Sequence, residues 1–329
     1  MTDTNRLPIG SPADLLTAVP YLLGFHPADS LVTVGVAGAR VVVAGRADLP
    51  EPSGIATWID GIADAKIRML RHAAATRAIA IGYGPATTVT PAIDAITARL
   101  AAAGLDVLEA LRVTDGRYFS YLCHNPACCP TDGTPVDPHR SDVTMHAIVA
   151  GCRALPDRAA LVASVAPTSR AARVAVTRAT ARARARHRRL LATAGHDGLT
   201  RAGVEAVTAA LARYRDEQAL HDDELAWLTI LLSDPLIRDH AWRASDDWQL
   251  PMWTDITRRA HPPLAAAPAS LLAFAAWRCG DGALASVALD RALAADPDYS
   301  LAHVINQALR AGLPPSLLDG WPRIGQPSL

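Results

Sequence analysis

Leu31-Val32-Thr33-Val34-Gly35-Val36 and Val41-Val42-Val43-Ala44-Gly45 are two short runs rich in branched residues, separated by a loop centred on Gly38. Side chains branched at Cβ pack well on a pleated surface and crowd the preceding turn of a helix, so the pair predicts a β-hairpin. Upstream, Ser11-Pro12-Ala13-Asp14 has the marks of a helix start. The serine hydroxyl accepts from free amides, proline is preset for the first helical position, and the acid stands where a capping box wants one. That helix is expected to run to Leu23, where Gly24 supplies a left-handed stop and Pro27 prevents resumption.

Downstream, Ile55, Ile59, Ile62, Ile67 and Leu70 recur at helical spacing after the breakers Pro50, Pro52 and Gly54, predicting a helix to about residue 75. Ala78-Ile79-Ala80-Ile81-Gly82 reads as a buried strand, and residues 91–103 as a helix with Ile93, Ile96 and Leu100 on one stripe. Residues 106–113 and 117–122 flank Asp115-Gly116, a hairpin turn signal. The alternation predicts an α/β or α+β N-terminal domain with a mixed sheet, two or three layers thick, over residues 1–155.

Past residue 155 the strand signals stop, and an all-α helical array is expected over residues 156–318, with a tail at 319–329. Its helices are placed at residues 161–165, 169–192, 201–219, 222–232 and 271–277, with Gly195, Gly198, Pro235, Pro262, Pro263 and Pro268 marking connections. Residues 283–294, then Asp296-Pro297-Asp298-Tyr299 and a second helix through Leu301, Ala302, Ile305 and Leu309, resemble the end of a tetratricopeptide repeat running into a capping helix. Only one copy is present, so a helical superhelix and an ordinary bundle both stay open.

Composition narrows the functional classes. A chain of 329 residues is long enough for two cores. Its 32 basic and 32 acidic residues balance, so the molecule as a whole is not steered toward nucleic acid or an anionic membrane. Lys66 is the only lysine, and the remaining basic charge is arginine. The first ten residues lack the pattern of a secretory signal, and no apolar run approaches the length of about 18 residues that a membrane helix needs. A cytoplasmic, reduced protein is therefore expected, with five cysteines, an odd number, arguing against a disulfide framework. The glycines form neither a Gly-x-Gly-x-x-Gly fingerprint nor a P-loop, and no cofactor is implied.

Cys123-His124-Asn125-Pro126-Ala127-Cys128-Cys129-Pro130 is where reactive side chains crowd. Thiolates are soft ligands, and His124, His139 or His146 would complete a set of four around a metal ion. Against this, Cys128 and Cys129 are adjacent, and in an extended chain neighbours point to opposite sides, so both reach one ion only with a local bend. A reversible disulfide from Cys123 to Cys128 or Cys129 is a second reading, and a tight turn whose sulfurs merely fill space is a third. A second candidate is the polar loop carrying His26, Asp29 and Ser30 before the first strand, which also reads as a plain helix-to-strand connection. A third is a basic helix face of Arg178, Arg182, Arg186 and Arg189, suited to phosphates but also to pairing with the acidic group Asp216, Glu217, Asp222, Asp223 and Glu224. Trp227, Trp242, Trp248, Trp253 and Trp277 gather in the helical half as core or, if exposed, as anchors for a partner.

Ser11-Pro12-Ala13-Asp14-Leu15-Leu16, Pro20 to Pro27, Ser30-Leu31-Val32, Cys128-Cys129-Pro130 and Gly133-Thr134-Pro135 together resemble an actinobacterial family known as a domain of unknown function. The resemblance spans most of the chain and implies a bacterial, cytoplasmic protein, with no activity, substrate or site residues attached. The reading favoured by the sequence is a non-enzymatic interaction or regulatory protein with a protein partner and no membrane. A thiol redox or metal-dependent centre at Cys123, Cys128 and Cys129 is the first alternative. Nucleic-acid binding through the arginine-rich helix at 170–189 is the second.

Overall fold

The computed structural model describes residues 9–137, 142–243 and 247–318, so the tail expected at 319–329 lies outside the described residues. The chain forms two compact units, Met1–Ala160 with Arg310–Pro314, and Leu161–Leu309 with Pro315–Leu329.

In the first unit the opening helix α1, Pro12–Leu23, starts as the sequence predicts. The Ser11 hydroxyl accepts from the Asp14 amide, the Asp14 carboxylate accepts from the Gly10 amide, and Gly24 ends the helix at φ 77°. The predicted hairpin follows as β1, Ser30–Ala37, and β2, Arg40–Asp48, turning through Gly38 at φ 60°. Next come α2 (Ile55–His72), β3 (Arg77–Tyr83), α3 (Ala86–Ala102), β4 (Asp106–Thr114) and β5 (Arg117–Ser120). A two-residue strand, β6 (Thr134–Pro135), and α4 (Asp142–Val149) complete the described elements. The sheet order is β2-β1-β3-β4-β5-β6. β3 is antiparallel to β1 and parallel to β4, so the sheet is mixed. α3 begins ahead of its expected start because the Pro85 carbonyl accepts from the Thr88 and Val89 amides and closes the first turn before Pro91 is reached.

One face of the sheet is built from small residues and receives two helices. Leu31, Ala78, Ala80 and Ala110 meet Ile59, Ala63 and Leu70 of α2 and Val89, Ile93, Ile96 and Leu100 of α3. Close approach depends on glycine. A Cβ on Gly82 would stand 2.2 Å from Cγ1 of Val89, and one on Gly35 would stand 2.8 Å from Leu70. On the opposite face Val32, Val34, Val36, Ile79, Ile81 and Leu111 are also buried. Burial on both sides explains why the central strands read as nearly continuous apolar runs.

The second unit is helical among its described residues, as expected. The long α6 (Arg170–Arg215) follows the short α5 (Arg158–Val165). After it come α7 (Asp222–Leu231), α8 (Pro235–Arg243), α9 (Leu250–Arg259), α10 (Ala266–Arg278), α11 (Gly282–Ala295) and α12 (Ser300–Arg310). Several prolines expected in connections lie instead in first helical turns, Pro235 opening α8 and Pro268 near the start of α10. The first turn needs no amide donors, so proline fits there. The two helices expected at 169–192 and 201–219 are both present within the range of α6, and the chain breaks helical geometry between them at Gly195 (φ 64°, ψ −166°), one of the glycines expected to mark a connection.

α10 is buried at every position from Ala266 to Trp277, the mark of a central helix, and its alanines let neighbours approach. Trp227, Trp253 and Trp277 are buried as well, so these rings are core and not exposed anchors. Phe274 sits edge-on to Trp242 at 5.0 Å and to Trp277 at 6.0 Å. A polar network ties α6, α7 and α9: Tyr214 donates to Asp255, and Arg259 donates to Asp255 (2.9 Å), Asp222 (3.0 Å) and the Leu220 carbonyl (2.7 Å).

Candidate functional site

The cysteine-rich stretch is an insertion between β5 and β6 at the sheet edge, whereas the sequence pattern places it beyond the last strand. β6 has no signature in the sequence because two paired residues, Tyr118 with Thr134 and Arg117 with Pro135, leave no periodic signal. Polar clamps hold the loop at both ends. At its start the Ser120 hydroxyl donates to Glu109 (2.8 Å) and accepts from the Leu122 and Cys123 amides (3.2 and 3.0 Å). At its end Arg117 donates to the Asp132 carboxylate (2.8 Å) and to the Asp132 and Gly133 carbonyls, both at 2.7 Å. Gly133, at φ 80°, lies against Phe119, with no room there for a Cβ.

Within the loop, Asn125 folds the chain back. Its side-chain oxygen accepts from the Ala127 amide, and its carbonyl accepts from the amides of both Cys128 and Cys129. This supplies the local bend that adjacent cysteines require, and Cys123, Cys128 and Cys129 converge. Their sulfurs all lie within 4.8 Å of one another. Cys123 and Cys128 are 3.1 Å apart, and Cys128 and Cys129 are 3.9 Å apart. The hydrogen bond with the Cys128 thiol, then the Asn125 backbone and Cys129, hold the Cys123 thiol below its ordinary pKa. The same contact with Cys123, followed by burial, pushes Cys129 up to about 12, and Cys128 also rises, chiefly through Cys123.

His124 is exposed on the loop and is not part of this group. The His146 ring is bonded to the Asp142 carbonyl on α4, and His139 lies outside the described residues. Three thiols thus form the set among the described residues. Ser120, Glu109, Arg117 and Asp132, which clamp the loop, carry no signature in the sequence because their role comes from pairing between strands and loop ends, whereas the turn at Asn125 is local and legible in Asn125-Pro126.

The polar loop does not assemble a catalytic trio. His26 and Asp29 are exposed, and Ser30 is buried at the start of β1. Asp29 takes a left-handed backbone (φ 42°), and its carbonyl accepts from the Leu49 amide, which suits a connection. Ser30 Oγ and the hydroxyl of its lateral neighbour Tyr83 are buried without hydrogen-bond partners among the described residues, and burial raises the Tyr83 pKa. The basic face is divided. All four arginines are exposed: Arg182 pairs with Asp223 of α7 (3.0 and 2.6 Å) and Arg186 stacks over Trp227 at 4.0 Å, whereas Arg178 and Arg189 have no carboxylate partner among the described residues.

Residues 12–316 match a family model described as a domain of unknown function (DUF4192). No curated protein and no solved structure matches the chain. Among the described residues no helix is long and apolar enough to cross a membrane.

Proposed function

The chain belongs to the DUF4192 family, and from that premise we propose that it is a regulatory protein whose responsive element is a three-thiol site for a soft metal ion, zinc above all. The supporting observation is the convergence of three sulfurs within 4.8 Å on one short, clamped loop. Zinc–sulfur bonds of about 2.3 Å in a tetrahedron place sulfur pairs about 3.8 Å apart, so the loop takes the ion with shifts below about 1 Å. Three ligands from the chain leave one coordination position toward solvent, beside the exposed Cys128. Uptake requires thiolates and so releases protons. A protein partner, the role favoured by the sequence, would be engaged by the helical unit, where the α11 and α12 pair is the supporting feature.

Native mass spectrometry of the full chain after zinc loading tests this reading. One zinc per chain is expected, lost in Cys128→Ser and in Cys129→Ser. Zinc content that is absent, or unchanged in both variants, overturns it. The 3.1 Å approach of Cys123 and Cys128 favours a thiol–disulfide switch as the second reading. There, oxidised glutathione takes the two hydrogens and two electrons of the Cys123 and Cys128 thiols, leaving one intrachain S–S bond and two glutathione thiols. Release of two thiols per chain by a protein that binds no zinc selects it.

A further inference from the structure

α6 leaves helical geometry at one residue, Gly195, with φ 64° and ψ −166°. Gly198, just past the break, has no room for a side chain: its Cβ would stand 2.4 Å from that of Ala194. Residues on both sides of the break line an open surface hollow of about 480 Å³. Arg186 and Arg189 reach it from before the break, Arg201 and Glu205 from after it, and Leu190 and Ala194 give it apolar lining. Three guanidinium groups thus face a single carboxylate.

These cations differ from the others on the helix. Arg182, one turn earlier than Arg186, is neutralised by Asp223. The Arg186 guanidinium carbon lies over the Trp227 ring, 4.0 Å from its centroid, a cation–π contact that helps to hold the side chain at the hollow. Arg189 and Arg201 are exposed and have no carboxylate partner among the described residues. Unpaired like charges sharing a hollow repel, and an anion with several oxygens relieves that repulsion through charge-assisted hydrogen bonds.

We propose that the hollow at Gly195 binds a small phosphate-bearing ligand, its phosphate held by Arg186, Arg189 and Arg201 and its carbon portion against Leu190 and Ala194. A single hollow favours a compact anion over nucleic acid, which needs phosphate contacts spread along a surface. Stacking of bases is also disfavoured, because Arg186 already covers Trp227. This site is independent of the thiol centre.

Calorimetric titration of the full chain with inorganic pyrophosphate, at low and at physiological salt, tests the assignment. Saturable 1:1 binding is expected. It weakens by about tenfold or more in the Arg189→Ala/Arg201→Ala double variant, since each charged hydrogen-bond donor contributes on that scale. Arg178→Ala, on the same helix but outside the hollow, leaves it unchanged. Arg178, Arg189 and Arg201 are all exposed, so the variants should melt with the parent chain. No pyrophosphate binding, or equal affinity in the double variant, overturns the proposal. So does a single-stranded oligonucleotide whose binding falls as much with Arg178→Ala as with the double variant, which would reveal an extended basic face.

Discussion

Lys66 and Arg259 are cations withdrawn from water, one in each unit, and the two units treat them in opposite ways. Arg259 of α9 meets two carboxylates and a carbonyl, so its guanidinium is well supplied with acceptors. Burial alone would lower its pKa, but Asp255 and Asp222 reverse that and the net shift is upward. Lys66 of α2 is buried beside Gly45, and among the described residues no acceptor or carboxylate meets it. Burial first, and the charge of Arg46 second, bring it down to about 7. The acceptors that the fold supplies, on the planar fork that arginine offers them, therefore separate the two cations. A guanidinium with several acceptors joins three helices, while an ammonium with none is tolerated at a cost.

Lys66→Met puts the largest strain on that contrast. In the unfolded chain Lys66 titrates near its ordinary value of 10.5, and in the folded chain at about 7. The unfolded state thus binds more protons between those values, so stability rises with pH across that window and the full penalty applies below pH 7. Replacement by methionine should stabilise the protein at pH 7 by up to about 4 kcal/mol, each tenfold loss of proton affinity on folding being worth about 1.4 kcal/mol. Urea unfolding of both chains at several pH values checks this, and the gap should close as pH approaches 10.5. A gap that does not change with pH would mean that packing, not charge, separates the two chains.

Arg259→Leu probes the other side. It strands Asp222, Asp255 and the Leu220 carbonyl, and should cost about 2 kcal/mol, within the range for leaving hydrogen-bond acceptors unsatisfied at a site that water partly reaches. Adding Asp255→Leu to that variant should recover part of the loss, because the stranded acid is then removed. No recovery in thermal melts would place the effect in packing.

The smallest expected effect on stability lies in the thiol loop, where charge is exposed and hydrogen bonds do the positioning. Ser120→Ala removes the hydroxyl that joins Glu109 to the Leu122 and Cys123 amides. It should cost about 1 kcal/mol of stability and weaken zinc binding about tenfold, the scale of an outer-shell partner. Competition against a chromophoric chelator reads the affinity. Unchanged affinity would show that the turn at Asn125 alone aligns the sulfurs.

Much of the architecture is legible in the sequence because its signals are local. Ser11, Pro12, Asp14 and Gly24 bound α1 through hydrogen bonds and dihedrals spanning a few residues, and the branched runs around Gly38 form the central hairpin. Helices opened by proline, α8 and α9, are hidden because the same residue serves turns and first helical turns alike. For the candidate site, residue types are legible and their arrangement is not. Cys123, Cys128 and Cys129 stand out in the sequence, but His124 does not join them.

From its sequence alone the chain acquires a mixed sheet followed by helices, because periodicity and capping act over short stretches and need no distant partner. The meeting of three sulfurs, the arginine hollow at Gly195 and the isolation of Lys66 were decided only by tertiary structure. The sulfurs meet through a turn at Asn125 and the hollow forms around one glycine, so both are short-range in sequence but need three-dimensional geometry that residue types do not specify. The surroundings of Lys66 follow from packing across elements that no local pattern encodes.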